Sequence, residues 1–349
     1  MNAAFVASFV LLSGCVTVTV STSETIETST FTFGPTWQPH GSLPQPLAEA
    51  GAAWEDGELK LVGGFALAAG VGPEAGGSTL ALHSRDGGRE WEEIASYPLP
   101  VHHLQLASID GVLYGFGGYV GGALLPGTYV AGAGPAGWPL TALAFRLEAG
   151  ELVWEPLASL PVARAAGVAV AIGERILIVG GVDPANQYPT ETFWYDPVSD
   201  TYENGPVLPE GRDHLTATLT PETLVVTTGR RFESGAWDDL DSVDLLDLAT
   251  LTWSRGPPAP VPGGGQAASL VNGTLWLAGG EVAEGPFAVH DEVHIFDLAT
   301  RTWSEGPALP EGRHGFAAAT WEGRFTVVGG ALASGPITER SLRLALTQA

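Results

Sequence analysis

Four short clusters hold the side chains best suited to chemistry: His102 with His103, Arg164 alone, Arg212 with Asp213 and His214, and Arg313 with His314. An arginine presents a planar fork that matches a carboxylate, and an imidazole can accept or donate a proton near neutral pH. Brought together, the clusters would form a basic, imidazole-rich surface. His103, Arg164, Arg212 and Arg313 would then bind an acidic group, and His102, His214 and His314 would shuttle protons. The same arginines have a plainer use as ties between neighbouring structural units. Dozens of residues separate one cluster from the next, so only the fold can join them.

Other patterns carry less. In "HDEVH" (290–294) the side chains of His290, Glu292 and His294 would share one face of a strand, where they could hold an ion. Register against the aromatic positions, however, puts His294 level with Leu82, Phe145, Phe193 and Asp244, mostly packing positions. Asp238, Asp239 and Asp241 offer the oxygens calcium takes, without the regular spacing and distal glutamate of a calcium loop. Gly132, Gly134 and Gly137 fit G-x-G-x-x-G but lack the strand before and helix after that a phosphate site needs. There is no nucleophile elbow and no phosphate loop. The motifs therefore call for no metal and no cofactor.

The elements that must position these residues are legible in the composition. Among 349 residues there are 47 glycines and 26 prolines, with 45% hydrophobic and 15% charged residues, a mixture that favours short apolar strands between tight turns. The net charge is -24, and Lys60 is the only lysine. A nucleic-acid backbone or an anionic membrane surface would be repelled, because binding there depends on clustered Lys and Arg.

The N-terminus has its own signature. Residues 3–12, "AAFVASFVLL", make an apolar run too short to remain as a membrane span, and "LSGC" follows, ending at the one cysteine, Cys15. This resembles a bacterial lipoprotein signal, which implies cleavage before Cys15 and acylation of its thiol and new amino group. The leading "MNAAF" departs from that pattern in having no Lys or Arg. Val16 after the cysteine resembles lipoproteins sorted to an outer membrane. The expected organisation is a signal over 1–14, a Ser/Thr-rich tether over 15–35 and a folded body over 36–349.

That body repeats. Apolar runs end in diglycine at "LKLVGG", "LYGFGG", "ILIVGG", "LWLAGG" and "FTVVGG", and a sixth, "LVVTTG", puts Thr228 in place of the first glycine. Counting back from each second glycine gives six gap-free segments beginning at Leu47, Val101, Arg164, Arg212, Gly263 and Arg313. Their fifth to seventh positions are mostly small, as strands crowded round a common axis require. An aromatic follows in most copies, at Trp91, Trp154, Tyr202, Trp253 and Trp303, and one stands alone near the start, at Trp37. Diglycine after an apolar strand, a later aromatic and a period near fifty resemble the kelch family. The resemblance implies an all-β, six-bladed β-propeller with four antiparallel strands per blade, the last blade completed by the N-terminal "TWQPHG".

What the resemblance implies for function divides three ways. A copper-radical oxidase needs a crosslinked cysteine, and Cys15 stands in the lipoprotein-type signal. A mutarotase of an acidic sugar would use the arginines and histidines named above. A lipid-anchored, monomeric, non-catalytic module would bind a protein or carbohydrate at the propeller rim or through the long loops 65–78 and 119–140, touching the membrane only through its anchor. The last reading asks least of the sequence.

Overall fold

The computed structural model describes residues 6–12, 15–21, 26–32, 36–66, 76–121, 132–133 and 137–345. Every regular element among them is a β-strand. Val6–Leu12, Cys15–Ser21 and Ile26–Thr32 make a separate three-stranded sheet, so the stretch expected as a tether carries two strands. Residues 13–14, on the N-terminal side of the expected cleavage before Cys15, lie outside the described residues, as do the central parts of the two long loops.

Six four-stranded antiparallel sheets among the described residues share one plan. The fifth shows it: Ala267–Val271 inside, then the apolar strand Thr274–Ala278, then Val293–Asp297, with Thr302–Glu305 at the outer edge. All six inner strands start at the fifth position of their segment, at Gly51, Gln105, Val168, Thr216, Ala267 and Ala317. The second strands are buried nearly throughout, because both faces meet neighbouring sheets. Val225 and Leu245 of the fourth sheet, for example, pack on Leu275, Leu277 and Phe296 of the fifth. Each such side chain contributes about 1.5–3 kcal/mol by leaving water. In the sixth sheet the outer strand is Thr36–Ser42, paired with Arg340–Ala345, and this sheet packs against the first through Ala317, Ala319 and Val328 on Leu59, Leu61 and Leu82.

The diglycine has a definite job. The second glycine's N–H donates to the carbonyl that opens the next segment: Gly64 to Val101, Gly118 to Arg164, Gly181 to Arg212, Gly229 to Gly263, Gly280 to Arg313 and Gly330 to Leu47, at 2.8–2.9 Å. The first glycine lies so close to the same carbonyl that a Cβ on Gly117 would sit 2.2 Å from the Arg164 oxygen. Where Thr228 replaces that glycine, the residue across is itself glycine, Gly263.

The outer aromatics tie the rim. The indole N–H of Trp37 donates to the Pro307 carbonyl, Trp154 to Ala95, Trp253 to Pro206 and Trp303 to Pro257, at 2.8–3.2 Å, and the Tyr202 hydroxyl does the same for Ala158 at 2.9 Å. Each acceptor lies four residues after the preceding sheet's aromatic. Trp91 departs from the rule and donates to Gly88 in its own turn.

Candidate functional site

The third position of every segment, just before the inner strand, has a left-handed backbone: Glu49, His103, Ala166, His214, Gly265 and Gly315, with φ between 49° and 64°. Each of these residues donates its N–H to the carbonyl of the preceding one, and Glu49 receives its partner from the far end, Gly315, at 2.7 Å. The result is a closed cycle of six backbone hydrogen bonds. Below it the small inner strands leave a channel of about 550 Å³ lined by Ala52, Ala107, Ala169, Ala217 and Ala268 among others.

Three positions of the cycle are small, and the other three supply functional groups. His103 Nε2 stands 3.0 Å from His214 Nε2 and 3.3 Å from Glu49 Oε2. Around this centre lie Asp213 Oδ1, 2.9 Å from His214 Nδ1, and His314 Nδ1, 3.2 Å from Glu281 Oε2 and 3.6 Å from Glu49 Oε1. Arg230 reaches His214 Nε2 at 3.1 Å and Glu281 Oε1 at 2.5 Å, and its guanidinium lies over the Trp237 ring. Arginine can only donate, so His214 Nε2 is an acceptor and carries a lone pair. Behind His103, His102 Nδ1 meets His103 Nδ1 at 2.6 Å, and the His102 ring stacks between Phe65 and Tyr119, edge-on to Trp138.

Burial and charge set the protonation. Burial pushes the His102 imidazole down to about 3 and holds His103 well below the usual histidine range, so both are neutral at pH 7. Burial would also lower His314, but the carboxylates of Glu49 and Glu281 outweigh it and raise it. Burial alone would raise the Glu49 carboxyl. The imidazoles around it, led by the hydrogen bond from His314, outweigh that and keep it ionised.

The expected ligand-binding arginines are elsewhere. Arg164, Arg212 and Arg313 open their segments, and each donates to the carbonyl sixteen residues on, at Gly180, Thr228 and Gly329. All three are at most 3% exposed, and Arg212 also pairs with fully buried Asp244 at 2.9 Å. They act as ties between strands, while of the expected residues His102, His103, His214 and His314 do come together. Glu49, Arg230 and Glu281 were missed. Their signal was positional: Glu49 aligns with His103 and His214, and Arg230 and Glu281 each follow a second glycine.

The minor motifs dissolve. The strand in "HDEVH" begins only at Val293, leaving His290 paired with Glu292 at 3.2 Å and His294 buried in its sheet. Asp238 is held by Arg231, and Asp239 accepts from the N–H groups of Ala283 and Glu284. Gly132 lies in a two-residue strand, and Gly134 falls outside the described residues.

Comparison with known proteins agrees with this architecture. The profile of the KLHDC2/KLHL20/DRC7 Kelch-repeats domain matches residues 145–330, more than half of the chain. Kelch-like protein terF of Aspergillus terreus is 27% identical over 55% of this chain and 41% of its own length. Kelch-like protein 38 of Homo sapiens is 29% identical over 49% of this chain and 26% of its own. The chain thus spans less than half the length of these curated relatives. The solved structure of YjhT superposes with a TM-score of 0.69 at 19% identity, covering 86% of this chain and 96% of that one, a likeness of fold alone. The repeated diglycine, the sheets it ties together and the profile match lead to one conclusion: the chain belongs to the kelch-repeat family.

Proposed function

We infer that this chain is a non-catalytic binding module, a six-bladed propeller whose ring is completed by residues 36–42, held at an outer membrane by lipid on Cys15. The partner is a protein or carbohydrate taken up at the axial mouth. One observation carries this reading: Glu49, His103, His214, Arg230, Glu281 and His314 come from five different repeats to a single point on the axis. Rigid scaffolds gather binding groups in this way. The mouth holds three carboxylates, Glu49, Asp213 and Glu281, against one arginine that is already paired with Glu281. It therefore favours a cationic or neutral hydrogen-bonding group, such as a lysine or arginine side chain of a partner protein, over an acidic sugar. A thermal-shift panel of basic, neutral and acidic peptides and monosaccharides tests this. Saturation at a hundredfold over Kd adds about 2.7 kcal/mol to folding. Stabilisation by basic peptides supports the reading, and stabilisation by acidic ligands alone overturns it. The anchor is tested by Cys15→Ala, expected to move the chain from the membrane to the soluble fraction.

A second reading, isomerisation of a sugar, is favoured by the carboxylate of Asp213 behind His214 and by the contacts that run from His102 through His103 to His214. Such a series can hold and pass a proton. In this reading Arg230 replaces the three tied arginines as the group that would meet a carboxylate. Anomer exchange followed by NMR, with and without His214→Gln, decides it.

A further inference from the structure

Glu49, His103 and His214 are donors from three different repeats, and one ligand atom from each falls within a sphere where all lie within 4.8 Å of one another. The geometry points to a binding site for one divalent first-row transition ion, of the zinc class, at the centre of the axial cycle. Nothing in the local sequence spacing announces it, because no two of the donors share a segment.

The donor set is two imidazole nitrogens and one carboxylate oxygen, which is a set used for zinc and for iron with open positions. Ligand atoms at ~2.0–2.1 Å from one ion stand roughly 2.9–3.4 Å apart for angles of about 90–110°. His103 Nε2 to His214 Nε2 is 3.0 Å, and His103 Nε2 to Glu49 Oε2 is 3.3 Å. Those two separations suit a shared ion, and all three donor atoms lie within 4.8 Å of one another.

The backbone prepares the site. A left-handed φ at Glu49, His103 and His214 is uncommon for residues with a Cβ, and it recurs here at the same position of three repeats. The remaining members of the cycle, Ala166, Gly265 and Gly315, bring no bulk to the axis.

The surrounding groups also fit. Metal-bound imidazoles usually have a partner on their other nitrogen that fixes the ring. His102 Nδ1 lies 2.6 Å from His103 Nδ1, and Asp213 Oδ1 stands 2.9 Å from His214 Nδ1 as an ion-pair contact, off the angle of a hydrogen bond. Without an ion, the 3.0 Å contact between the two Nε2 atoms needs one hydrogen, and His214 Nε2 is already the acceptor for Arg230. That hydrogen therefore sits on His103 Nε2. When the ion enters, the His103 proton moves from Nε2 to Nδ1 and the His102 proton from Nδ1 to Nε2, so that His102 Nδ1 becomes the acceptor, all the rings stay neutral and no proton is released. Arg230 gives up its contact with His214 and keeps Glu281 at 2.5 Å.

The test uses the full chain, stripped with chelator, and cobalt(II) as the probe, because its visible absorption reports coordination by nitrogen and oxygen ligands directly. One equivalent of cobalt is expected to bind with a saturable spectrum and to be displaced by zinc. Affinity should fall at least tenfold in His103→Gln and in His214→Gln, and stay unchanged in His290→Gln, whose imidazole belongs to an unrelated surface pair. Glu49→Gln, which keeps size and hydrogen bonding, should weaken binding and alter the spectrum. Circular dichroism identifies any variant that fails to fold, and the wild-type spectrum decides the matter even then. Absence of saturable cobalt binding by the folded wild-type chain overturns the proposal, as does binding that survives both histidine replacements. Because no partner or sugar is present, this result is independent of the binding-module reading.

Discussion

The N–H of Glu49 donates to the carbonyl of Gly315 at 2.7 Å, joining the first repeat to the last. The five other bonds of that cycle link consecutive repeats, so this is the one that spans nearly the whole chain. A second long-range bond does the same at the outer edge, where the Trp37 indole meets the Pro307 carbonyl at 3.0 Å. Both fix the start of the body against its end, and the axial groups depend on them for their positions.

The N-terminal strand should therefore be indispensable although its neighbours upstream are not. Removing residues 1–35 leaves every contact of the six sheets in place. Removing 1–42 strips the strand that pairs with Arg340–Ala345, exposes an open edge and orphans the Pro307 carbonyl. The shorter truncation is expected to melt within a degree or two of the full chain. The longer one should melt roughly 5 °C lower or more, or aggregate. Equal melting of the two would show that the strand is decoration.

Glycine should matter by position and not by number. Gly117 and Gly150 both have positive φ, 61° and 84°, so Ala at either incurs about 1–2 kcal/mol of backbone strain. Only at Gly117 does a new Cβ strike backbone, 2.2 Å from the Arg164 carbonyl, whereas at Gly150 it meets nothing within 4 Å. Urea unfolding of Gly117→Ala should reveal a loss clearly larger than that of Gly150→Ala. Similar losses would mean that the carbonyl can move aside.

Arg212 should prove structural. Its guanidinium and the Asp244 carboxylate are fully buried, and burial alone pushes the first down and the second up against their mutual attraction. Arg212→Ala leaves a buried carboxylate whose remaining ionic partner is the half-exposed Arg255, and should cost about 3–5 kcal/mol. Arg212→Met with Asp244→Leu should recover much of that loss. Binding at the axial mouth should persist in the double variant at a temperature where it is folded, since neither side chain reaches the cycle.

How much of this was legible in the sequence follows from where the information sits. The strands were readable because small residues mark most of the inner strands and diglycine follows five of the six second strands, from Gly51 to Val62 in the first sheet to Ala317 to Val328 in the sixth. Both signals are local. The axial site was only half readable. His103, His214 and His314 stood out by residue type, but so did Arg164, Arg212 and Arg313, and nothing local distinguishes a side chain aimed at the axis from one lying against its own sheet. For His103 and His214 the left-handed backbone at the third position makes that distinction, and it becomes visible only in three dimensions, whereas His314 stands one position earlier and reaches the centre from there. Glu49 was overlooked because a glutamate in an acidic chain attracts no notice, although its register matches His103 and His214.

The buried imidazoles should leave a mark on acid stability. His102 titrates near 6.5 when unfolded and at about 3 when folded, because burial between Phe65 and Tyr119 disfavours its charged form. The folded chain then binds fewer protons than the unfolded one across that interval. Stability from this group is fully present above pH 6.5 and falls as pH drops toward 3, by at most about 1.4 kcal/mol per pH unit. His102→Phe keeps an aromatic ring in the stack and removes the titration. Between pH 6.5 and 5, above the range where most carboxylates protonate, the variant should lose stability less steeply than the wild type in denaturant titrations. His40, His83, His103 and His294, lowered by the same cause, keep their slopes and bound how much can flatten. Parallel pH profiles for the two proteins would place the His102 proton in the folded state and reverse the assignment of a neutral ring at that position.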